Sequence, residues 1–292
     1  MRIALIVNPL ATGVDEQRLA SVQRVLARVA DVDTHFTERR RHATDIARAV
    51  GGDVDAIFVF SGDGGFNEVA NGLEADGPPL APIPGGGTSV FPRALGLPRD
   101  PLAAAERLVD AFAHGRTRSI SVGRVNGRRF LFNAGLVLDA ELVRRIEAHR
   151  SRAGRPGDVA FVYTLLKVVA EQHGRFPPVV DVEGLGRVAF LLVANTDPYT
   201  YLGRVPVHVA PGTTFEHGLA ALAPPRTTWL SVVRLLASVL SRRGASPTVT
   251  DIDVLRARSD TPVPLQADGE DLGDVTEAVF EVERDAIRVF AG

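Results

Sequence analysis

The sequence has 292 residues, of which 45% are hydrophobic and 23% are charged, a composition typical of ordered globular proteins with one or two domains. Its formal net charge of -2 gives no support to nucleic-acid binding. It contains no cysteine, which excludes disulfides, thiolate zinc sites and cysteine nucleophiles and fits a cytoplasmic location.

The first third of the sequence alternates predicted strands with predicted helices. Met1 opens a short apolar run that Asn8-Pro9 ends, and we interpret this run as a first strand rather than a signal peptide. Such alternation predicts βαβ units and a mainly parallel sheet. Strands are predicted at residues 2–7, 33–36, 56–60 and 80–82, and helices at residues 15–30, 43–50, 66–73 and 89–95.

From about residue 118 the pattern changes to short β runs separated by Gly and Pro, which predicts an antiparallel β domain. The β runs are residues 118–125, 129–133, 179–182, 187–195, 205–210, 219–222, 248–256, 263–267, 275–282 and 286–290. Helices are predicted at residues 140–149, 158–173 and 228–242, and a flexible segment at residues 149–157. The predicted domains are therefore an α/β domain, residues 1–117, a β-rich domain, residues 118–280, and a C-terminal segment, residues 281–292, that can return to the first domain.

Glycine-rich loops follow two of the predicted parallel strands. Ser61-Gly62-Asp63-Gly64-Gly65 follows the strand at residues 56–60, and Pro84-Gly85-Gly86-Gly87-Thr88 follows the next one. Both lead into predicted helices, so their backbone N–H groups and the helix N-termini suit a bound phosphate. Asp-Gly is also a common hairpin signal, but a predicted helix rather than a strand follows it. Because the carboxyl ends of parallel strands share one edge, we expect these loops and Asn8-Pro9 to form one site.

The order of several motifs resembles the diacylglycerol kinase catalytic-domain family, whose fold sphingosine kinases, ceramide kinases and bacterial lipid kinases share. Besides the two glycine loops and Asn8-Pro9, the resemblance rests on Asn67-Glu68-Val69, Asn71-Gly72-Leu73, Phe91-x-Arg93-Ala94-Leu95-Gly96, Phe132-Asn133-Ala134-Gly135, Asp139-Ala140, Ala210-Pro211 and Ala267-Asp268-Gly269-Glu270. It therefore spans nearly the whole chain.

The resemblance implies a doubly wound, NAD kinase/diacylglycerol kinase-like α/β nucleotide domain and a second, antiparallel β-rich domain. It implies ATP and Mg²⁺ as cofactors, with Asp63 and Glu270 at the metal and Asp268 as the base that accepts the proton of a lipid hydroxyl. The catalytic residues would thus be Asp268, Asp63 and Glu270. The implied cofactor-binding residues are Asn8, Pro9, Gly62, Asp63, Gly64, Gly65, Glu68, Gly85, Gly86, Gly87 and Thr88.

Some positions depart from the family pattern. Ser89-Val90 stands where many members have Asn-Asp, Gly65 where Thr is common, and Glu216-His217-Gly218-Leu219 where many bacterial members bind a structural magnesium through Asp-Asp-Gly-Leu. The departure at residues 216–219 therefore argues against a structural magnesium at that second site. Taken alone, Asp268-Gly269-Glu270 would be interpreted as a surface turn.

The expected function is ATP-dependent transfer of the γ-phosphoryl group to a lipid hydroxyl, that of diacylglycerol or a related glycerolipid. The alternatives are a kinase for a soluble acceptor, similar to NAD kinases, and a catalytically dead nucleotide- or lipid-binding protein. A lipid substrate implies peripheral membrane contact, for which residues 228–242 and a set of arginines are candidates; whether the chain forms a homodimer is left open. The arginines are Arg144, Arg145, Arg150, Arg152 and Arg155.

Overall fold

The computed structural model describes residues 1–153, 164, 167–171, 173, 175–228, 230, 237 and 248–290. The chain divides into two compact units. Unit 1 contains Met1–Val122 and Glu283–Gly292, and unit 2 contains Gly123–Val282.

Unit 1 is built on a parallel sheet in the order β2-β1-β3-β4, with the C-terminal part of β16 next to β4. Apart from the exposed Arg2 and the buried Ser61, β1 and β3 consist of buried apolar residues, as expected for central strands covered on both faces. The elements are β1 (Arg2–Val7), α1 (Glu16–Leu26), β2 (Asp31–Phe36), α2 (His42–Val50), β3 (Ala56–Ser61), α3 (Asp63–Ala70), β4 (Leu80–Pro84), α4 (Val90–Ala94) and α5 (Pro101–Ala113).

The helices of unit 1 pack in pairs, α1 with α5 and α2 with α3. Helix α5 is absent from the elements predicted from the sequence, although Asp100 caps its first turn by accepting the N–H of Ala103 at 2.9 Å and Pro101 begins the helix. Asp followed by Pro is a recognised helix start, so this signal was available. Phe112 of α5 packs against Phe58 of β3 and Phe290 of β16, with ring centroids 6.1 and 5.8 Å away.

The strand order of unit 1 places a topological switch between β1 and β3, because the chain continues from β1 to β2 on one side and from β3 to β4 on the other. In open α/β sheets ligands bind at the carboxyl ends of the strands at such a point. The loops that follow β1 and β3 are therefore the ones that this topology favours for a ligand.

Unit 2 is dominated by antiparallel pairing in the order β14-β13-β10-β7-β15-β16, with β8 beside β15, β9 beside β8, and β5 beside β6. A separate hairpin pairs β11 with β12. The elements are β5 (Thr117–Val125), which begins in unit 1, β6 (Arg128–Phe130), β7 (Asn133–Leu136), α6 (Leu138–Ala153), β8 (Val180–Val182), β9 (Gly186–Val188), β10 (Leu191–Ala194), β11 (Thr200–Leu202), β12 (Val205–Val207), β13 (Leu219–Leu222), β14 (Val249–Ile252), β15 (Val254–Ala267) and β16 (Glu270–Phe290).

The last third of the chain differs from the predicted series of short strands. β15 and β16 are long strands paired with each other, and the two residues between them form the turn. Gly273 and Asp285 lie in the left-handed region of φ inside β16, so the signals that suggested separate strands mark local irregularities within one strand. Most of the helices predicted at residues 158–173 and 228–242, and part of the flexible segment at residues 149–157, lie outside the described residues; residues 167–171 are helical.

Within the described part of the chain, none of the helices has the length and apolar character needed to span a bilayer.

Candidate active site

The loops that follow β1, β3 and β4 meet within unit 1. The N–H of Asn8 donates to the carbonyl of Phe60 at 3.1 Å, which joins the first loop to the end of β3. The N–H of Gly85 donates to the carbonyl of Ser61 at 2.6 Å, and that of Gly13 donates to the carbonyl of Gly85 at 2.8 Å. Backbone hydrogen bonds therefore hold the three segments at one edge of the sheet.

Two kinds of glycine occur in these loops. A Cβ atom on Gly85 would lie 2.9 Å from Cγ2 of Val14 and 3.0 Å from the carbonyl oxygen of Ser61, and one on Gly65 would collide with the hydroxyl of Ser61. Gly64 and Gly87 are exposed, and a Cβ atom on either would have nothing within 4 Å. The first kind allows the loops to approach each other, whereas the second leaves open space beside the backbone, as a bound phosphate requires.

Helix α3 begins within the first glycine loop, at Asp63, three residues before its predicted start. Gly62 is the N-cap in an extended conformation, and no side chain caps the helix. The glycines that suggested a loop form the first turn instead, so the N–H groups of that turn lie within the motif itself. A helix N-terminus with such groups favours an anion.

The carboxylate of Asp63 connects the two glycine loops. Its Oδ1 accepts the N–H of Phe91, near the start of α4, at 3.0 Å. Ser89 occupies the N-cap position of α4, but its hydroxyl donates to the carbonyl of Gly86 at 3.1 Å instead. Asp63 therefore caps the N-terminus of α4 in place of Ser89. This hydrogen bond holds its carboxylate beside both loops.

Other predicted nucleotide ligands hold the backbone in place. Oδ1 of Asn8 accepts the N–H of Leu10 at 3.0 Å, which forms a tight turn with Pro9 in it. The carboxylate of Glu68 accepts the N–H groups of Arg41 and Ala43, at 2.9 and 3.2 Å, at the start of α2. Direct nucleotide contacts of Asn8, Pro9 and Glu68 stay predictions.

In unit 2, Asp268 and Gly269 form the two-residue turn between β15 and β16, with φ values of 50° and 77°. Gly269 is exposed and Glu270 is partly exposed, as in a surface turn, whereas Asp268 is only 9% exposed. The side chain of the first turn residue is therefore buried. Its carboxylate accepts three consecutive backbone N–H groups, those of Leu131 at 2.6 Å, Phe132 at 3.0 Å and Asn133 at 3.1 Å. These donors stabilise the ionised carboxylate and fix its orientation.

Glu270, which follows this turn, forms an ion pair with Arg128. The two side chains are 33% and 20% exposed, so the pair is partly shielded from water. A metal ion at Glu270 would have to compete with the guanidinium of Arg128. The assignment of Glu270 as a metal ligand therefore stays a prediction, with this additional requirement.

Two of the arginines considered for membrane attraction are engaged in ion pairs on α6. Nε of Arg144 lies 2.8 Å from Asp271, and its Nη2 lies 2.6 Å from Asp274. Arg145 pairs with Glu141 and Glu171, at 2.6 and 2.5 Å. Because these carboxylates neutralise the arginines, Arg144 and Arg145 are weak candidates for binding lipid headgroups.

A buried polar cluster that was not predicted from the sequence lies next to the Asp268 turn. The carboxylate of Asp139 accepts hydrogen bonds from the hydroxyl of Tyr199 and from Nε2 of Gln266. Burial raises the pKa of Asp139 to about 6, against the opposing effect of these two hydrogen bonds. Asp139 belongs to the Asp139-Ala140 motif, and Gln266 lies two residues before Asp268, so the sequence offered a signal for both residues. Tyr199 is brought in only by the fold.

The residues present fit a nucleotide better than they fit a preformed metal centre. Within the described ranges, no group of three or more His, Asp or Glu side chains is placed to hold a metal ion. Mg²⁺ bound with a nucleotide commonly uses one or two carboxylates together with phosphate oxygens and water. Asp63, beside the glycine loops, suits this arrangement.

Comparisons with known proteins agree with this geometry. The family model "Diacylglycerol kinase catalytic domain" matches residues 2–125. Residues 2–125 of the chain are therefore similar to the diacylglycerol kinase catalytic domain. A kinase family implies ATP as the phosphate donor, and the matched residues include both glycine loops.

The chain is 36% identical to a diacylglycerol kinase of Bacillus subtilis (strain 168) over 139 residues, which are 46% of this chain and 45% of that protein. It is also 36% identical over 104 residues to a diacylglycerol kinase of Staphylococcus haemolyticus, covering 35% of this chain and 30% of the relative. The chain therefore matches less than half the length of these relatives.

The crystal structure of a diacylglycerol kinase from Bacillus anthracis str. Sterne superposes with a TM-score of 0.73 at 22% identity, covering 100% of this chain and 97% of the other. This likeness confirms the predicted fold class, a doubly wound α/β domain with an antiparallel β-rich domain.

The raised pKa of Asp139 predicts a specific pH dependence of stability. Its contribution to stability is fully present below the ordinary value of 3.8 and is lost as the pH rises through about 6, because the folded protein holds the proton more tightly than the unfolded chain. In urea unfolding, the wild type should lose about 1–3 kcal/mol relative to Asp139→Asn between about pH 4 and pH 6.5. A difference between the two proteins that stays constant over this range would contradict the assignment.

Proposed function

We propose that the chain transfers the γ-phosphoryl group of ATP to a lipid hydroxyl, most simply that of diacylglycerol. The observation that carries this proposal is the Asp63 carboxylate, which lies in the glycine loop after β3 and accepts the N–H of Phe91 in α4, the helix that follows the second glycine loop. Both loops belong to the segment whose sequence matches the kinase family. The relatives from Bacillus subtilis and Staphylococcus haemolyticus, both named diacylglycerol kinases, support this choice of acceptor.

In unit 1, the backbone N–H groups of residues 62–65 and 85–88 would hold the phosphates of ATP. Open space beside Gly64 and Gly87 permits close approach of an anion to the backbone. Asp63 would hold Mg²⁺, which neutralises phosphate charge when it is bound. Positioning and charge neutralisation of this kind are the main needs of phosphoryl transfer.

In unit 2, Asp268 would accept the proton of the acceptor hydroxyl. The hydroxyl oxygen forms a bond to the γ-phosphorus, the bond from that phosphorus to the bridging oxygen breaks, and ADP leaves with the electron pair. A carboxylate stabilised by three backbone N–H groups is a weak base. It is still adequate for a loose transition state, in which the hydroxyl proton can leave late.

A lipid acceptor also implies that the chain visits a membrane surface. The arginines on α6 that are tied into ion pairs, Arg144 and Arg145, are not the residues we assign to this contact. Peripheral contact is part of the proposal and follows from the chemistry of the acceptor.

The proposal is tested with ATP labelled in the γ-phosphate, offered with diacylglycerol, sphingosine and NAD⁺ in parallel, the lipids in mixed micelles. We expect label in phosphatidic acid, with magnesium and not with chelator. Label in NADP⁺ would contradict the proposal and show that the acceptor is a soluble molecule. ATP binding without label in any product would also contradict it and show a nucleotide-binding protein without kinase activity.

A pair of glycine variants in unit 1 assigns ATP binding to the loops. Gly64→Ala adds a methyl group where the free protein has space, so we expect unchanged or slightly higher stability, since Ala favours helix by up to about 1 kcal/mol. If phosphate lies against this backbone, ATP binding measured by calorimetry should weaken about tenfold, or about 1.4 kcal/mol.

Gly52→Ala is the matched control, because Gly52 also has nothing within 4 Å and lies in the turn after α2. It should leave ATP affinity unchanged. If Gly64→Ala and Gly52→Ala bind ATP with equal affinity, the phosphates of ATP do not lie against this loop.

A further inference from the structure

Gln266 is a completely buried polar residue immediately before the Asp268 turn, with 0% of its surface exposed. Its partners determine which way its amide points. Nε2 donates to Oδ1 of Asn133 at 2.9 Å and to the carboxylate of Asp139, and Oε1 accepts the N–H of Gly269 at 2.9 Å. Reversing the amide would place donors against donors and acceptors against acceptors.

The fold makes room for this arrangement. Gln266 of β15 lies opposite Gly135 of β7 in the strand pairing. A Cβ atom on Gly135 would lie 2.6 Å from Oδ2 of Asp139 and 3.1 Å from its Cβ. The missing side chain at residue 135 therefore lets the carboxylate reach across the sheet to the amide of Gln266, while Tyr199 holds the other carboxylate oxygen.

Hydrogen bonds join Asn133, Gln266, Asp268 and Gly269 into a closed ring around the turn. Asn133 accepts from Gln266 through its side chain, donates its N–H to the Asp268 carboxylate at 3.1 Å, and accepts the N–H of Asp268 at 2.8 Å. Gly269 completes the ring by its bond to Gln266. Asp268 has a φ of 50°, a left-handed conformation that costs a residue with a side chain about 1 kcal/mol. The turn therefore needs external support to hold its carboxylate in one place.

We propose that Gln266 is a positioning residue, whose amide, oriented by Asn133 and Asp139, holds Gly269 and thereby fixes the carboxylate of Asp268 for the reaction. This inference rests on the proposed function for its catalytic meaning. Whether Gln266 holds the Asp268-Gly269 turn in place can be measured without any phosphate transfer.

The first experiment compares amide hydrogen exchange in the full chain with Gln266→Leu, which removes the donor and the acceptor. We expect exchange at Gly269 and at residues 131–133 to accelerate at least tenfold, while the amides of β10 and β13 keep their rates. Acceleration at Gly269 alone would overturn the proposal, because the Asp268 carboxylate would then be held without Gln266.

Ser259→Ala is the matched control, since it removes one side-chain hydrogen bond from the same strand, the bond from Ser259 to the carbonyl of Val179 at 2.8 Å. It should not change exchange at residues 131–133 or 269. If both variants accelerate these amides equally, the effect is a general loosening of β15 and the proposal fails.

The second experiment measures kinetics with the acceptor that the wild type phosphorylates. For Gln266→Leu we expect kcat at least tenfold lower with KM for ATP within twofold of wild type, because the nucleotide loops are untouched, and both constants unchanged in Ser259→Ala. An unchanged kcat in folded Gln266→Leu would contradict a positioning role. If the wild type transfers no phosphate, the proposed function fails, whereas the exchange result still decides whether Gln266 sets the turn.

Gln266→Glu covers the case in which Gln266→Leu does not fold. It keeps an oxygen for the N–H of Gly269 but places a second carboxyl beside Asp139, with Tyr199 and Asp268 as the other ionisable groups close by. Two adjacent carboxyls share one proton at low pH, which restores the bridge, and repel when both are ionised. We expect kcat of this variant, relative to wild type, to fall as the pH rises, and Gly269 exchange to accelerate in parallel. A ratio that is independent of pH in both measurements would overturn the proposal.

Discussion

The arrangement of the acceptor side of the proposed reaction depends on one contact, the carboxylate of Asp268 against the N–H groups of Leu131, Phe132 and Asn133. The contact fixes the turn between the two longest strands to the segment that joins β6 and β7. Without the carboxylate, three backbone donors would be left in a buried place, at a cost of about 1–3 kcal/mol each. The carboxylate oxygens of Asp268 are therefore needed for the fold and, in the proposal, for the proton transfer. A variant that deletes the side chain cannot distinguish the structural role from the catalytic one.

In unit 1 the main constraint is that the loops after β1, β3 and β4 lie close together, as a site that surrounds an anion requires. The short bond from Gly85 to Ser61 and the closeness of Gly85 to Val14 exclude a side chain at that position. Gly64 and Gly87 meet no such restriction. The glycines of one motif thus divide into those that the fold requires and those that a ligand would require.

Much of unit 1 could be predicted from the sequence, because β1, β3 and β4 are mostly apolar runs and the loops after β3 and β4 carry glycine. The exact start of α3 could not, since glycine disfavours helix and only the N-terminal position makes Asp63-Gly64-Gly65 acceptable. For β15 and β16, local patterns indicated strands but not their length, because the residues with positive φ inside β16, Gly273 and Asp285, are of types that also occur in turns. The partners of Glu270 and Asp139 were beyond local reasoning, because Arg128 and Tyr199 are distant in sequence and only the strand pairing brings them near.

The central claim, that Asp268 serves the chemical step and the glycine loops serve ATP, is tested most directly by measuring ATP affinity and γ-phosphate transfer on one preparation of Asp268→Asn. This variant keeps one acceptor oxygen, enough for the N–H groups of Phe132 and Asn133 but not for that of Leu131. Circular dichroism gives its folded fraction at the assay temperature. The account predicts ATP affinity within about twofold of wild type and transfer lower by about 100-fold per folded molecule, the usual size of a general-base contribution. Transfer close to the wild-type rate by folded Asp268→Asn would contradict it and would leave Asp268 with the structural role alone.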